Sequence, residues 1–217
     1  MNQVQPGHEN AFGALRQFIR RKPDVERCEL CSAEVASDHP HLIEPGTRKL
    51  LCACDACAIL FSGMGTKYKR VPRRVLSLAD FRLSDGQWES LMVPINMAFF
   101  YRSTPDARVV ALYPSPAGAT ESLLSLETWK DIEDSNPVLR EMEADVEALL
   151  VDRVAHARGA FPAEYYVLPI DECFKLVGLI RANWRGLSGG AEVWKEIGEF
   201  FGGLKRRATV VREQAHA

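Results

Sequence analysis

Nowhere in the chain do about 18 apolar residues follow one another, so no segment is built to cross a membrane as a helix. Met1 to His8 are polar and lack the apolar centre of a secretory leader, so the chain is expected in the cytoplasm. Neither sign of charge dominates. A net charge of -2 gives no overall pull toward nucleic acid or an anionic membrane. Internal repeats and low-complexity stretches are missing. So is a Gly-x-Ser-x-Gly nucleophile elbow, and Gly63-Met-Gly-Thr-Lys67 falls short of the Walker spacing. His156 follows a predicted strand with no recognisable partner, and Asp171 reads as the cap of a helix. No catalytic constellation emerges, and an enzyme is not expected.

What the chain does have is bulk and clustered thiols. Its 217 residues are 47% hydrophobic and 26% charged, enough to bury a core in one or two domains. Of its 6 cysteines, all but Cys173 crowd one short stretch. Cys28-Glu-Leu-Cys31 and Cys54-Asp-Ala-Cys57 form two CxxC pairs, and a two-residue gap lets a turn aim both sulfurs at one point. In a reducing compartment such clustering favours a metal over disulfides. Cys28, Cys31, Cys54 and Cys57 are the expected ligands. Cys52 is an alternative to Cys54 or a neighbour of the site, because residues 52 and 54 of an extended segment share a side. His39 and His41 are weaker rivals for a mixed site. Zinc in a closed structural site is the favoured metal; iron in a rubredoxin-like site uses the same four thiolates and carries electrons. Cys173 sits in a helical pattern and is expected in the core.

The predicted organisation is an N-terminal helix within residues 1–26, the metal module over 27–62, an α+β body over 63–207 and a flexible tail over 208–217. Asn10 can cap the first helix, whose apolar face is Phe12, Leu15, Phe18 and Ile19. Within the module, strands over 39–43 and 49–53 flank the Glu44-Pro-Gly-Thr turn, and a helix begins at Asp55. Knuckle, hairpin, knuckle, helix is the plan of a treble-clef or zinc-ribbon-like module. In the body, strands are expected at 73–78, 95–101, 109–113, 119–125, 145–154 and 164–168, although 147–154 also fits a helix. Ser84-Asp-Gly-Gln87 reads as a capping box. Short helices are expected at 126–132 and, capped by Asn136, at 137–142; the two clearest helices span 171–184 and 191–207. The fold class is α+β, a small metal module followed by a mainly antiparallel sheet with packed helices.

Two further stretches carry candidate function. Lys67, Lys69, Arg70, Arg73 and Arg74 run without an acid, beside Tyr68, and form a candidate partner-binding surface; a solvated strand face is the plainer reading. Between Glu121 and Glu147 the balance reverses, with nine acidic residues against two basic. That bipolarity fits protein docking better than nucleic-acid binding. The Pro114–Thr120 segment, with Ser115 and Thr120, can approach a ligand closely or simply turn a proline-stiffened hairpin.

Taken together, Cys28-Glu-Leu-Cys31, His39-Pro-His41, Leu51-Cys-Ala-Cys-Asp-Ala-Cys57, Ala111-Leu-Tyr-Pro-Ser-Pro-Ala-Gly-Ala-Thr-Glu-Ser-Leu-Leu124 and Trp184-Arg-Gly-Leu-Ser-Gly-Gly190 define a resemblance. From Arg27 to Arg207 the chain resembles a bacterial family of unknown function whose genes accompany those of the high-affinity, oxygen-tolerant nickel–iron hydrogenases first described in actinobacteria. The resemblance implies an accessory role near a hydrogenase subunit or maturation protein, or electron transfer, and brings no assigned functional residues. The expectation is a non-enzymatic zinc protein that supports hydrogenase maturation, stability or assembly by docking. An iron electron carrier and a zinc-dependent nucleic-acid binder are the alternatives.

Overall fold

A computed structural model describes residues 25–63, 65–122, 126–186 and 189–212. The helix expected near Asn10 lies outside the described residues. Strands β1 (His41–Glu44) and β2 (Lys49–Cys52) pair antiparallel across the proline-glycine turn, and β3 (Lys69–Arg70) adds to the far side of β1. Helix α1 (Asp55–Leu60) follows β2 directly, with Cys54 as its extended N-cap. Successive side chains on β1 serve different cores. Leu42 packs with Leu51, Ala53 and Ala58 inside this finger, whereas Ile43 is buried among residues of the body.

The body is a seven-stranded sheet. Its strands are β4 (Leu76–Leu78), β5 (Met97–Ser103), β6 (Arg108–Ser115), β7 (Gly118–Ser122), β8 (Glu147–Asp152), β9 (Glu164–Pro169) and β10 (Thr209–Val211), in the order β10-β4-β9-β8-β5-β6-β7. All neighbours are antiparallel except β10 and β4. Among the described residues four α-helices complete it: α2 (Asp85–Ser90), α3 (Leu126–Ser135), α4 (Ile170–Asn183) and α5 (Gly190–Arg207). Phe99 packs with the side chains of α4 and α5 on one face, and Phe100 with Trp88 of α2 and Trp129 of α3 on the other. With both faces covered, β5 and β8 read as continuous apolar runs rather than alternating strands. The sequence expectation of an α+β fold with mainly antiparallel sheets holds. Among the described residues, no helix is long and apolar enough to cross a membrane.

Local chemistry explains the element ends. Ser84 and Gln87 form the expected capping box of α2. Gly189, at φ 85°, admits no Cβ, which would lie 2.8 Å from Val193 Cγ1; the approach lets α5 close against Trp184.

Five expectations need correction. The strand expected from Arg73 is confined to Leu76–Leu78, and residues 137–141 form a 3-10 turn. Asn136 does not cap that turn: its side chain accepts from Arg82 N and donates to the carbonyls of Arg82 and Ile132, tying two loops together. Asp171 is not a cap either, because α4 begins one residue earlier and its carboxylate turns to His41. Finally, Thr209–Val211 is not a free tail but strand β10, held beside β4.

Candidate metal centre

The first knuckle is shaped by its backbone. Cys28 N donates to Ala33 O and Ser32 N to Cys28 O, both at 2.8 Å, and Ser32 takes the left-handed turn at φ 63°. Glu29 N donates to Cys52 O, and the Glu29 carboxylate accepts from Cys52 N, so the knuckle is fastened to the end of β2. The second pair straddles a helix start: Cys54 caps α1 and Cys57 lies in its first turns, with Ala58 N donating to Cys54 O. These two pieces bring the sulfurs of Cys28, Cys31, Cys54 and Cys57 within 4.8 Å of one another.

The Cys31 and Cys54 sulfurs are 3.7 Å apart. Four sulfurs at about 2.3 Å from a tetrahedral ion would be separated by about 3.8 Å. The arrangement therefore fits a single tetrathiolate ion, and the four close cysteines could hold one. Burial pushes the Cys28 thiol up, but backbone donors from Cys54, Leu30 and Cys31 outweigh it and bring it to about 6. Burial, joined by the neighbouring thiols, pushes Cys57 up to about 12. Four thiolates cannot share this space without a cation, and a bound ion would release their protons.

Cys52, His39 and His41 lie elsewhere. They do not join the four sulfurs but gather as a second group, with one ligand atom from each within 4.8 Å of the others. Strand geometry explains the separation. His41 and Cys52 are directly opposed across β1 and β2, and His39 precedes His41 by two residues, on the same side. Strand β2 stops at Cys52, and Cys54, although still extended, already caps α1 and gives its sulfur to the other group. His41 Nδ1 donates to Asp171 Oδ2 at 2.6 Å, and that hydrogen bond raises the His41 pKa against its burial.

The basic run is mostly paired within the chain. Lys67 meets Glu44 at 3.2 Å, Lys69 meets Asp145 at 2.7 Å, Arg73 meets Asp38 at 2.8 Å, and Arg74 grips Glu147 at 2.5 Å. Arg70 alone of the five makes no ion pair among the described residues, and it is exposed. The Pro114–Thr120 segment turns from β6 into β7, where Ser115 Oγ donates to Gly118 O and lies 3.1 Å from Thr120 Oγ1. With Trp184 and Trp194 it also lines a cavity of about 510 Å³. Sequence reasoning missed the exposed apolar tip of α1: Ile59, Leu60 and Phe61 are 68%, 71% and 43% exposed. Three apolar residues in a row after a CxxC pair were the available signal.

The model of a family of unknown function (DUF5947) matches residues 27–208, from the first knuckle to the end of α5. No curated protein and no solved structure matches the chain.

Proposed function

The chain belongs to this family of unknown function, and we propose that it is a non-enzymatic accessory protein whose four-thiolate module holds zinc and fixes a docking surface. The observation that carries the reading is the junction at β1, where Leu42 packs beside the cysteines and Ile43 in the body. A module sharing a strand with the main core has a set orientation, which suits a presenting platform. The order of knuckle, hairpin, second knuckle and helix is the one we assign to a treble-clef-like finger. Zinc, when bound, supplies a four-way cross-link between the first knuckle and the start of α1. The chain does the rest: Glu29 fastens the knuckle to β2, and α1 carries Ile59, Leu60 and Phe61 outward beside Cys57. An exposed apolar trio on a metal-braced helix suits burial against a partner. The partner we propose, on the resemblance given above, is a subunit or maturation protein of a nickel–iron hydrogenase.

Of the basic run, Arg70, unpaired among the described residues, is the one we assign to an acidic partner, since the others hold the fold's own carboxylates. The test uses the full chain, purified without a metal-binding tag, and purified hydrogenase subunits and maturation proteins. Elemental analysis should find zinc in colourless protein. Titration calorimetry should detect a complex that Leu60→Asp weakens at least tenfold and Arg70→Glu weakens further, with zinc content unchanged. A red protein that bleaches on reduction would instead be an iron carrier. Binding indifferent to Leu60→Asp, or no binding by any of the purified proteins, would end the docking reading.

A further inference from the structure

We infer that His39, His41 and Cys52 form a second metal site, separate from the four-thiolate centre and open to solvent on one side. It goes beyond the docking reading and does not depend on it. The donors are neither loose nor accidental. The His39 side chain is 5% exposed, and its Nδ1 donates to Ala36 O at 2.7 Å. Its Nε2 is buried with no hydrogen-bond partner among the described residues. A buried acceptor without a donor is unfavourable, and such groups in native proteins call for an explanation. A cation at Nε2 supplies one.

His41 repeats the pattern. Its Nδ1 is held by Asp171 from the start of α4, 130 residues away, which leaves Nε2 as the free donor atom. A ring nitrogen tied to a carboxylate or a carbonyl, with the other nitrogen turned to the metal, is how proteins orient histidine ligands and fix their tautomer. Here the two histidines carry one device of each kind. Cys52, opposite His41 in the strand register, completes a set of two imidazoles and one thiol within 4.8 Å of one another.

The two groups differ in what they leave open. Four thiolates close a tetrahedral ion, whereas two nitrogens and one sulfur leave a fourth position. That position has somewhere to point. His39, His41 and Cys52 line a cavity of about 730 Å³, walled further by paired charges, Arg73 with Asp38 and both Lys175 and Arg207 with Glu172. Mixed nitrogen and sulfur donors select a borderline divalent ion of the zinc type over calcium or magnesium. Water or a small anion would take the fourth place, facing the cavity.

The experiment counts metal on the full chain and then reads each site by its colour. Protein loaded with Zn²⁺ and freed of excess should carry two equivalents, and Cys52→Ala and His41→Gln one each. Reconstituted with Co²⁺, the wild type should show tetrathiolate bands plus a second set from mixed nitrogen and sulfur ligation. Cys52→Ala should lose the second set alone, its surviving tetrathiolate bands reporting that the finger stays folded. Azide should shift the second set and leave the first in place. One equivalent in the wild type, or two in Cys52→Ala, would overturn the site, and bands indifferent to azide would overturn its open position. If both variants lose both sets, the wild-type count decides: two equivalents support the site and one refutes it.

Discussion

Two adjacent arginines show how little a residue's type says about its work. Arg73 pairs with Asp38 where both side chains are exposed, an arrangement worth at most about 1 kcal/mol. Arg74 holds Glu147 by two bonds of 2.5 and 2.7 Å, and that carboxylate, 1% exposed, also accepts from Glu143 N. Removing one partner of a buried pair strands a charge. Because Arg74 is itself half-exposed, Arg74→Ala should cost on the order of 2 kcal/mol rather than the full value for a buried pair. Arg73→Ala should stay within about 0.5 kcal/mol. Arg74→Lys should recover only part of the loss, since an ammonium cannot make the two-pronged contact. Urea midpoints of the three variants test this, and equal midpoints for Arg73→Ala and Arg74→Ala would refute it. Within the sequence the run looked like a uniform cationic face. The acids that distinguish its members lie 35 and 73 residues away, beyond the reach of any local pattern.

At the scale of elements, what was local was legible and what needed pairing was not. The capping box, the hairpin turn and the clear helices each follow from neighbours a few residues apart. The division of the cysteine-rich stretch into four thiols and a His-His-Cys group depends on the register that sets His41 against Cys52. A register is fixed by the folded hairpin, not by spacing. The hairpin is also docked at its tip. Arg48, in the left-handed conformation at φ 58°, reaches Asp106 and Glu121 at 3.2 Å each and lies over the Tyr101 ring. The bond from Arg108, then that from Arg48, holds the Glu121 pKa below its ordinary value; bonds from Ser103 and Arg48 do the same for Asp106. A lowered folded pKa contributes stability that is complete above the unfolded value, about 4 for these carboxyls, and is lost as pH falls through the folded value. Arg48→Gln should therefore lower stability near pH 7 and do so progressively less below about pH 4. Denaturant titrations of both proteins across that range measure the difference. A cost that persists unchanged at pH 2.5 would mean that Arg48 acts through its packing on Tyr101 and not through charge.

Across the whole molecule, the two cores are unequal, and this governs how the chain should come apart. The body core is broad and aromatic, with Phe99, Phe100 and Tyr166 fully buried on two covered faces. The buried finger core is Cys28, Leu42, Leu51, Ala53, Cys57 and Ala58, with only two leucines among them and partly exposed Leu30, Val35 and Tyr68 at its edge. A core that small does not sustain a fold without a cross-link, and metal binding energy there is folding energy. Stripping metal with a strong chelator should therefore melt the finger while the sheet persists. Hydrogen exchange should show the amides of Cys28, Ser32, Ala58 and Phe61, which close the two knuckles, losing protection first. Those of β5 and β8 should remain protected. The body should not be untouched, because Ile43 leaves its core with β1, a loss of about 2 kcal/mol that a lowered urea midpoint would record. Simultaneous loss of protection in the knuckles and in β5 would show that finger and body fold as one unit. The shared strand would then be a structural keystone rather than a mount.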